Sequence, residues 1–401
     1  MLEGFFEPGS ITVVGVAREE GKVGHFVFDN LRDGGFPGPV YPVNPNAEEI
    51  HGERCYASIS DLPQAPDLAV IVVPARFVPD VIDDCAVKGI GSAIVISAGF
   101  KESGPEGGAL EREVLVRARA GGVRVLGPNC LGLIASRTHL NASFAAGMPP
   151  AGGIAFMSQS GALGTAVLDW AAGGGIGLSH FVSLGNRADL SEIDLMRAWA
   201  ANPDTRVIVG YLESVADGPA FLRDAAETTA VKPVIVVKSG RSDAGARAVS
   251  SHTGSLAGSD AAYDAAFRAT GVIRAHNVQQ LFDYAVGFSL QPLPSGALAI
   301  LTNAGGPAVM ATDACEEAGV ALASLENTTV DNLREALPPA AALYNPVDIL
   351  GDAGPDRYAL ALDALYADPN VGAVLCLLTP QAMTDAAGTA RVIVERAADA
   401  R

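Results

Sequence analysis

Short β-branched runs alternate with longer amphipathic stretches along almost the whole chain, and this alternation constrains the fold more than any other feature. The predicted strands are Ile11–Val16, Leu68–Val73, Ser92–Ile96, Val123–Leu126, Ile154–Met157, Ser179–Ser183, Val207–Leu212, Pro233–Val237, Ala297–Leu301 and Ala373–Leu378. Between them the periodicity predicts helices, among them Val23–Arg32, Gly108–Arg119, Ala162–Ala172, Ser191–Ala201, Gly258–Thr270, Val278–Leu290 and Ala308–Ala318. Strands that are apolar on both faces and separated by helices require parallel sheets covered on both sides. The expected class is therefore α/β, doubly wound. Two Pro/Gly clusters, Gly147–Gly153 and Gln291–Gly296, mark soft boundaries. They predict domains at 1–148, 149–292 and 296–401.

Composition narrows the class further. Of 401 residues 49% are apolar and 18% charged, so the chain has ample material for buried cores. A formal net charge of -18 repels phosphate backbones and argues against general nucleic-acid binding. No apolar run is long enough to span a bilayer, and Met1–Ser10 has neither a basic nor an apolar leader region. The five cysteines are dispersed without a CxxC pair, as expected of reduced thiols in a cytoplasm.

Three turns carry candidate chemistry. Val14–Gly24 follows the first strand and opens the first helix, as nucleotide-binding loops do, but the spacing from Gly15 to Gly21 does not match G-x-G-x-x-G. Arg18 and Lys22 give this longer loop the charge to hold a bulky phosphorylated ligand; the competing reading is that its glycines serve only the turn. The second and third units begin alike: Ile154–Ala162 and Ala299–Pro307 each run from strand through a small-residue turn into a helix, at a spacing of 145 (157 to 302). Both leave helix N–H groups open to an anion, which is also a property of any βα unit.

His252 lies in a segment of small residues, Ser250–Gly258. A loop histidine is commonly just solvated, yet imidazole is a competent nucleophile when a partner holds its other nitrogen. Glu213, after the strand Val207–Leu212, is a candidate partner; as a strand-end carboxylate it also reads as an ordinary cap or surface charge. No metal-ligand spacing surrounds His252, and no metal is expected. Ser160 lacks the glycine two residues before it that a nucleophile elbow requires. His25, His51, His139, His180 and His276 carry no comparable context.

Six motifs occur in order: Gly21-Lys22-Val23-Gly24, Gly127-Pro128-Asn129-Cys130-Leu131-Gly132, Ser158-Gln159-Ser160-Gly161, Ser251-His252-Thr253-Gly254, Thr302-Asn303-Ala304-Gly305-Gly306-Pro307 and Asn345-Pro346-Val347-Asp348. Together they make the chain resemble the NDP-forming acyl-CoA synthetases, specifically the alpha part of the ADP-forming acetate–CoA ligases, relatives of succinyl-CoA synthetase. The resemblance implies a CoA-binding Rossmann-like domain followed by two flavodoxin-like ligase domains. It implies that acyl-CoA, phosphate and ADP interconvert with the free acid, CoA and ATP through an acyl phosphate and a phosphohistidine at His252, with Glu213 steadying the ring. Ser158, Gln159, Ser160 and Gly161, together with Asn303, Gly305 and Gly306, correspond to the turns that hold the phosphoryl group. Gly15, Lys22, Val23, Asn44, Pro45, Val73, Pro74, Ser97, Gly99, Phe100 and Asn129 correspond to CoA positions. Gly127–Gly132, Met157 and Gly185–Arg187 are expected to shape the acyl pocket.

The family also needs an ATP-grasp domain for ATP or ADP with Mg2+, and the sequence contains no such segment. The expectation is a separate beta subunit or further chain, an incomplete third domain, an oligomer and a cytoplasmic setting. A different reading is a CoA-binding regulatory module fused to an acyltransferase, without ligase turnover.

Overall fold

The computed structural model describes residues 2–242, 244–245, 259–291 and 294–399, which form two compact units, Met1–Gln291 and Pro292–Arg401. In the first unit the elements run α1 (Glu3–Phe6), β1 (Ile11–Val14), α2 (Val23–Asp33), β2 (Val40–Val43), β3 (Glu49–Ile50), β4 (Glu53–Arg54), β5 (Leu68–Ile71), α3 (Val78–Lys88), β6 (Ser92–Val95), α4 (Pro105–Gly121) and β7 (Arg124–Leu126). They continue through β8 (Gly132–Ala135), β9 (Leu140–Ser143), β10 (Ala151–Ser158), α5 (Gly161–Gly173), β11 (Leu178–Ser183), α6 (Glu192–Ala201) and β12 (Val207–Leu212). Last come α7 (Gly218–Thr229), β13 (Val234–Lys238), α8 (Asp260–Thr270), β14 (Ile273–Ala275) and α9 (Val278–Leu290).

Two sheets organise this unit. The first is parallel, in the order β2-β1-β5-β6-β7. Its inner strands β1, β5 and β6 are buried at every residue, which is why they read as unbroken apolar runs. β2 was not predicted, because Pro42 interrupts it; the structure places β2 at the sheet edge, where a missing N–H costs no ladder bond. The second sheet runs β14-β13-β12-β10-β11-β8-β9. Its five later strands are parallel, whereas β8 lies antiparallel on β11 and β9 antiparallel on β8. The hairpin β8–β9 therefore precedes the Pro/Gly cluster in sequence and still completes the second sheet. One apolar core, with Phe28, Val70, Met157, Leu190 and Trp199 among its members, is shared by the two sheets. His180 is part of it, edge-on to Phe6 at 4.8 Å, and burial pushes its imidazole down to about 4. It is a neutral core residue.

The second unit is a parallel three-stranded sheet, β16-β15-β17, built from β15 (Leu298–Thr302), β16 (Val347–Asp348) and β17 (Ala373–Leu377). Its helices are α10 (Gly305–Glu317), α11 (Asn327–Ala336), α12 (Pro355–Tyr366) and α13 (Ala386–Asp399). Tyr358 is fully buried, with its hydroxyl donating to the Leu377 carbonyl at 2.9 Å. Asn345 staples this sheet: it accepts from Ile300 N at 2.8 Å and donates to the carbonyls of Leu298 (2.8 Å) and Ala323 (3.0 Å). Asn345→Ala is expected to cost about 1–3 kcal/mol by leaving these backbone groups unpaired, seen as a lower urea midpoint. Among the described residues no helix is long and apolar enough to cross a membrane.

Candidate functional site

The first unit holds a cleft of about 1010 Å³, and much of its wall comes from the loops that follow strand ends. Val72, Val73 and Pro74 follow β5, Ser97 follows β6, and Asn129 follows β7; Gln159 to Ala162 follow β10, Asn186 and Arg187 follow β11, and Glu213 and Ser214 follow β12. Ligands of open α/β sheets gather at this carboxyl edge. Here the edges of two sheets meet in one space.

Glycines close the turn after β1. Gly15 has φ +97°, and a side chain there would meet the Val72 carbonyl at 2.6 Å; a side chain at Gly24 would meet the Gly15 carbonyl at 2.3 Å. The start of α2 is thereby held against the strand end, which brings Val23 into the cleft. Asn44 fixes the same turn by donating to the Val16 carbonyl at 2.7 Å and accepting from Asn46 N at 2.9 Å.

The turn at the start of α5 is closed by hydroxyls. Ser158 accepts from Ser160 N at 3.1 Å and donates to the Ser160 carbonyl at 2.7 Å, while Ser160 Oγ caps the helix by accepting from Leu163 N at 3.3 Å. Gly161 and Ala162 line the cleft, and among the described residues no acceptor takes their N–H groups. The Gln159 amide binds across to the next strand: its oxygen accepts from Glu213 N (2.7 Å) and Ser214 N (3.1 Å), and its nitrogen donates to Ser214 O (2.9 Å). Glu213 is thereby fixed, 6% exposed, and lines the same cleft as the Gly161 and Ala162 amides.

The second unit repeats this pattern. Thr302 accepts from Ala304 N at 3.0 Å and donates to its carbonyl at 3.1 Å, and Asn303 exchanges two hydrogen bonds with Thr379 after β17 (2.8 and 3.0 Å). Gly305 and Gly306, exposed, open α10. Structurally Ser158 matches Thr302 and Gly161 matches Gly305. The spacing is thus 144 (158 to 302) and not the expected 145, because the hydroxyl that closes each turn sets the register.

Lining the same cleft, Lys101, Glu102, Asn129 and Asn186 join a polar network whose hydrogen bonds no motif predicted, although the motifs named Asn129 and Asn186 as site residues. Asn186 donates to Glu111 at 2.8 Å and to Glu102 at 2.5 Å, accepts from Asn129 Nδ2 at 3.3 Å, and its carbonyl takes the Lys101 amine. Lys101 also stands 3.5 Å from Glu111. Burial works against ionised Glu102, but the hydrogen bonds from Asn186 and from Gly99 and Phe100 N–H outweigh it and hold this carboxyl below its usual range. Arg187 pairs with fully buried Glu192 at 3.0 Å and donates to Ser214 O and Oγ at 2.8 and 2.7 Å. Behind Glu213, Lys238 is 3% exposed, over the Tyr263 ring at 4.5 Å. Burial lowers its pKa; Asp260 and Glu213 oppose this and Arg274 adds to it. Burial pushes the Cys130 thiol up to about 12, so this cleft cysteine is not a thiolate at neutral pH.

The cleft thus gathers Val23, Val73, Pro74, Ser97, Asn129, Gln159, Ser160, Gly161 and Glu213. Gly15, Lys22, Asn44, Pro45, Gly99, Phe100 and Ser158 are not among the residues lining it. Lys22 is exposed, 3.8 Å from Glu19, and the Phe100 ring is fully buried in the first-sheet core. Of the residues expected to shape an acyl pocket, Asn129–Leu131 and Gly185–Arg187 line the cleft, whereas Met157 is buried in the core. His252 lies outside the described residues.

Three family models cover most of the chain: a CoA binding domain at residues 9–136, a succinyl-CoA ligase like flavodoxin domain at 151–288 and a ligase-CoA domain at 298–401. Acetate–CoA ligase [ADP-forming] I of Archaeoglobus fulgidus is 49% identical over 98% of this chain and 57% of its own length. Acetate–CoA ligase [ADP-forming] II subunit alpha of Pyrococcus furiosus is 42% identical over 94% of this chain and 82% of its own length. The solved Ca. Korarchaeum cryptofilum dinucleotide forming acetyl-coenzyme A synthetase 1, in complex with phosphate and ADP, superposes with a TM-score of 0.95 at 41% identity, over 100% of this chain and 86% of that one. The chain spans about half the length of several curated relatives it matches.

Proposed function

Because the chain belongs to the family of ADP-forming acetate–CoA ligases, we propose that it is the component that converts an acyl-CoA and phosphate into an acyl phosphate and then a phosphohistidine. The observation that carries this reading is the single cleft joining the strand ends of the CoA-binding sheet to the Gln159–Ala162 amide turn and Glu213.

The chemistry follows from those groups. Phosphate attacks the thioester carbonyl, the C–S bond breaks, and CoA leaves as its thiol with an acyl phosphate remaining. The Gly161 and Ala162 amides at the positive end of α5 offset the charge on phosphate. The His252 imidazole then attacks phosphorus, the P–O bond to the acyl group breaks, and the carboxylate leaves. Glu213 stabilises the positive charge that forms on the ring. The phosphoryl group passes to ADP, held with its Mg2+ by an ATP-grasp beta subunit or fused domain. In this reading residues 1–148, 149–292 and 296–401 are three domains, and the Asn303–Gly306 turn is a phosphate cradle in the last of them.

The test is a mass measurement. The protein incubated with acetyl-CoA and phosphate, or with ATP and its nucleotide-binding partner, should gain one phosphoryl group, about 80 Da, that is acid-labile. An unchanged mass under both conditions overturns the reading. The regulatory alternative predicts CoA binding without that gain, and the ligase names of the matched relatives do not favour it.

A further inference from the structure

The first unit places two imidazoles and a carboxylate together, none of them among the residues that line the cleft. His25 and Asp29 are one turn apart on α2, with His25 Nε2 3.1 Å from Asp29 Oδ2. His51 comes from the turn between β3 and β4, held at φ 52°, and its Nε2 stands 3.4 Å from both Asp29 Oδ1 and His25 Nδ1. One donor atom from each residue can be chosen such that all lie within 4.8 Å of one another. We propose that His25, Asp29 and His51 form a binding site for a divalent cation of the zinc class.

Three observations support the assignment. First, the spacing suits the metal: zinc bonds of about 2.0–2.1 Å in a tetrahedron put ligand atoms about 3.3 Å apart, and the Asp29 oxygens stand 3.1 Å from His25 Nε2 and 3.4 Å from His51 Nε2. Secondly, His25 Nδ1 is 3.2 Å from the Ala17 carbonyl. An imidazole that donates Nδ1–H to a backbone carbonyl has its Nε2 lone pair free, the arrangement that orients metal-binding histidines. Thirdly, Asp29 Oδ1 is shielded from solvent and takes no hydrogen bond of good geometry among the described residues; its polar neighbours are His51 Nε2 at 3.4 Å and Arg32 at 3.6 Å. A cation between the rings would satisfy that oxygen.

The donor set selects the ion. Two imidazole nitrogens and one carboxylate oxygen suit zinc and its borderline neighbours, whereas magnesium and calcium take oxygen-rich sites. Three protein ligands leave a fourth position for water. Since Ala17 belongs to the turn after β1, a bound ion would tie that turn to α2 and to the β3–β4 hairpin.

The experiment is zinc titration of the chelator-treated full chain by calorimetry and elemental analysis, with cobalt absorption as a second readout. One equivalent should bind, raise the melting temperature and give the spectrum of four-coordinate cobalt. His51→Asn, chosen because asparagine tolerates the left-handed backbone, and Asp29→Asn should each weaken binding at least tenfold, as losses around metal sites commonly do. His276→Ala, at an exposed histidine elsewhere, should not. Absence of stoichiometric zinc, or equal binding by wild type and both variants, overturns the proposal. Should one variant fail to fold, the other reads the same ligand set.

Discussion

His252→Ala is expected to lose the phosphoryl mass gain completely and, with the nucleotide-binding partner supplied, all net turnover. Two other candidate nucleophiles of the cleft do not replace the imidazole: Cys130 is protonated at neutral pH, and Ser160 Oγ is committed to capping α5. Glu213→Gln separates a positioning effect from a chemical one. It keeps the shape and the backbone bonds to Gln159 but removes the negative charge that stabilises the ring cation. Turnover should fall by up to about 10⁴-fold, the loss seen when the carboxylate behind a catalytic imidazole becomes an amide. CoA affinity, measured by calorimetry, should change little. A Glu213→Gln protein that phosphorylates at the wild-type rate would remove Glu213 from the mechanism.

Asn186→Ala is expected to produce the largest loss of stability. Asn186 is the shared donor to Glu111 and Glu102, of which Glu102 lines the cleft. Removing it leaves both oxygens short of a partner and costs about 2–4 kcal/mol, with the greater part from Glu111, the more buried of the two. The pH dependence has a definite sign. Glu102 is held below its ordinary value in the folded protein, so its contribution to stability is present above that value and is lost as pH falls through the lowered one. Asn186→Ala weakens this contribution. The gap between wild type and variant in denaturant midpoints should be full at neutral pH and narrow below about pH 4. A gap that widens on acidification would contradict the account.

The contrast between these two sites shows what a linear reading can reach. Strands buried on both faces announce themselves as unbroken apolar runs, and a strand end followed by small residues and a helix marks an anion turn. Glu213 and Gln159–Gly161 were legible for that reason. The Asn186 network was not, because Asn186 lies 84 and 75 positions from its carboxylate partners and only the packed loops join them. Pro42 concealed an edge strand, since its compatibility depends on the missing N–H facing away from the neighbouring strand β1. The one-turn spacing of His25 and Asp29 is visible on a helix, but His51 joins them through a hairpin of two-residue strands that no periodicity reveals.

The hairpin β8–β9 has a consequence for how the chain is made. Ala135 pairs with His180, about 45 residues further on, so at 5–20 residues per second the ribosome delivers its partner roughly 2–9 s later. Throughout that interval the nascent polypeptide carries a short two-stranded ribbon with an open backbone edge, a template for sticking to neighbours. Synthesis that stalls before Leu178 would therefore release an aggregation-prone product, even though every strand of the first sheet had already emerged.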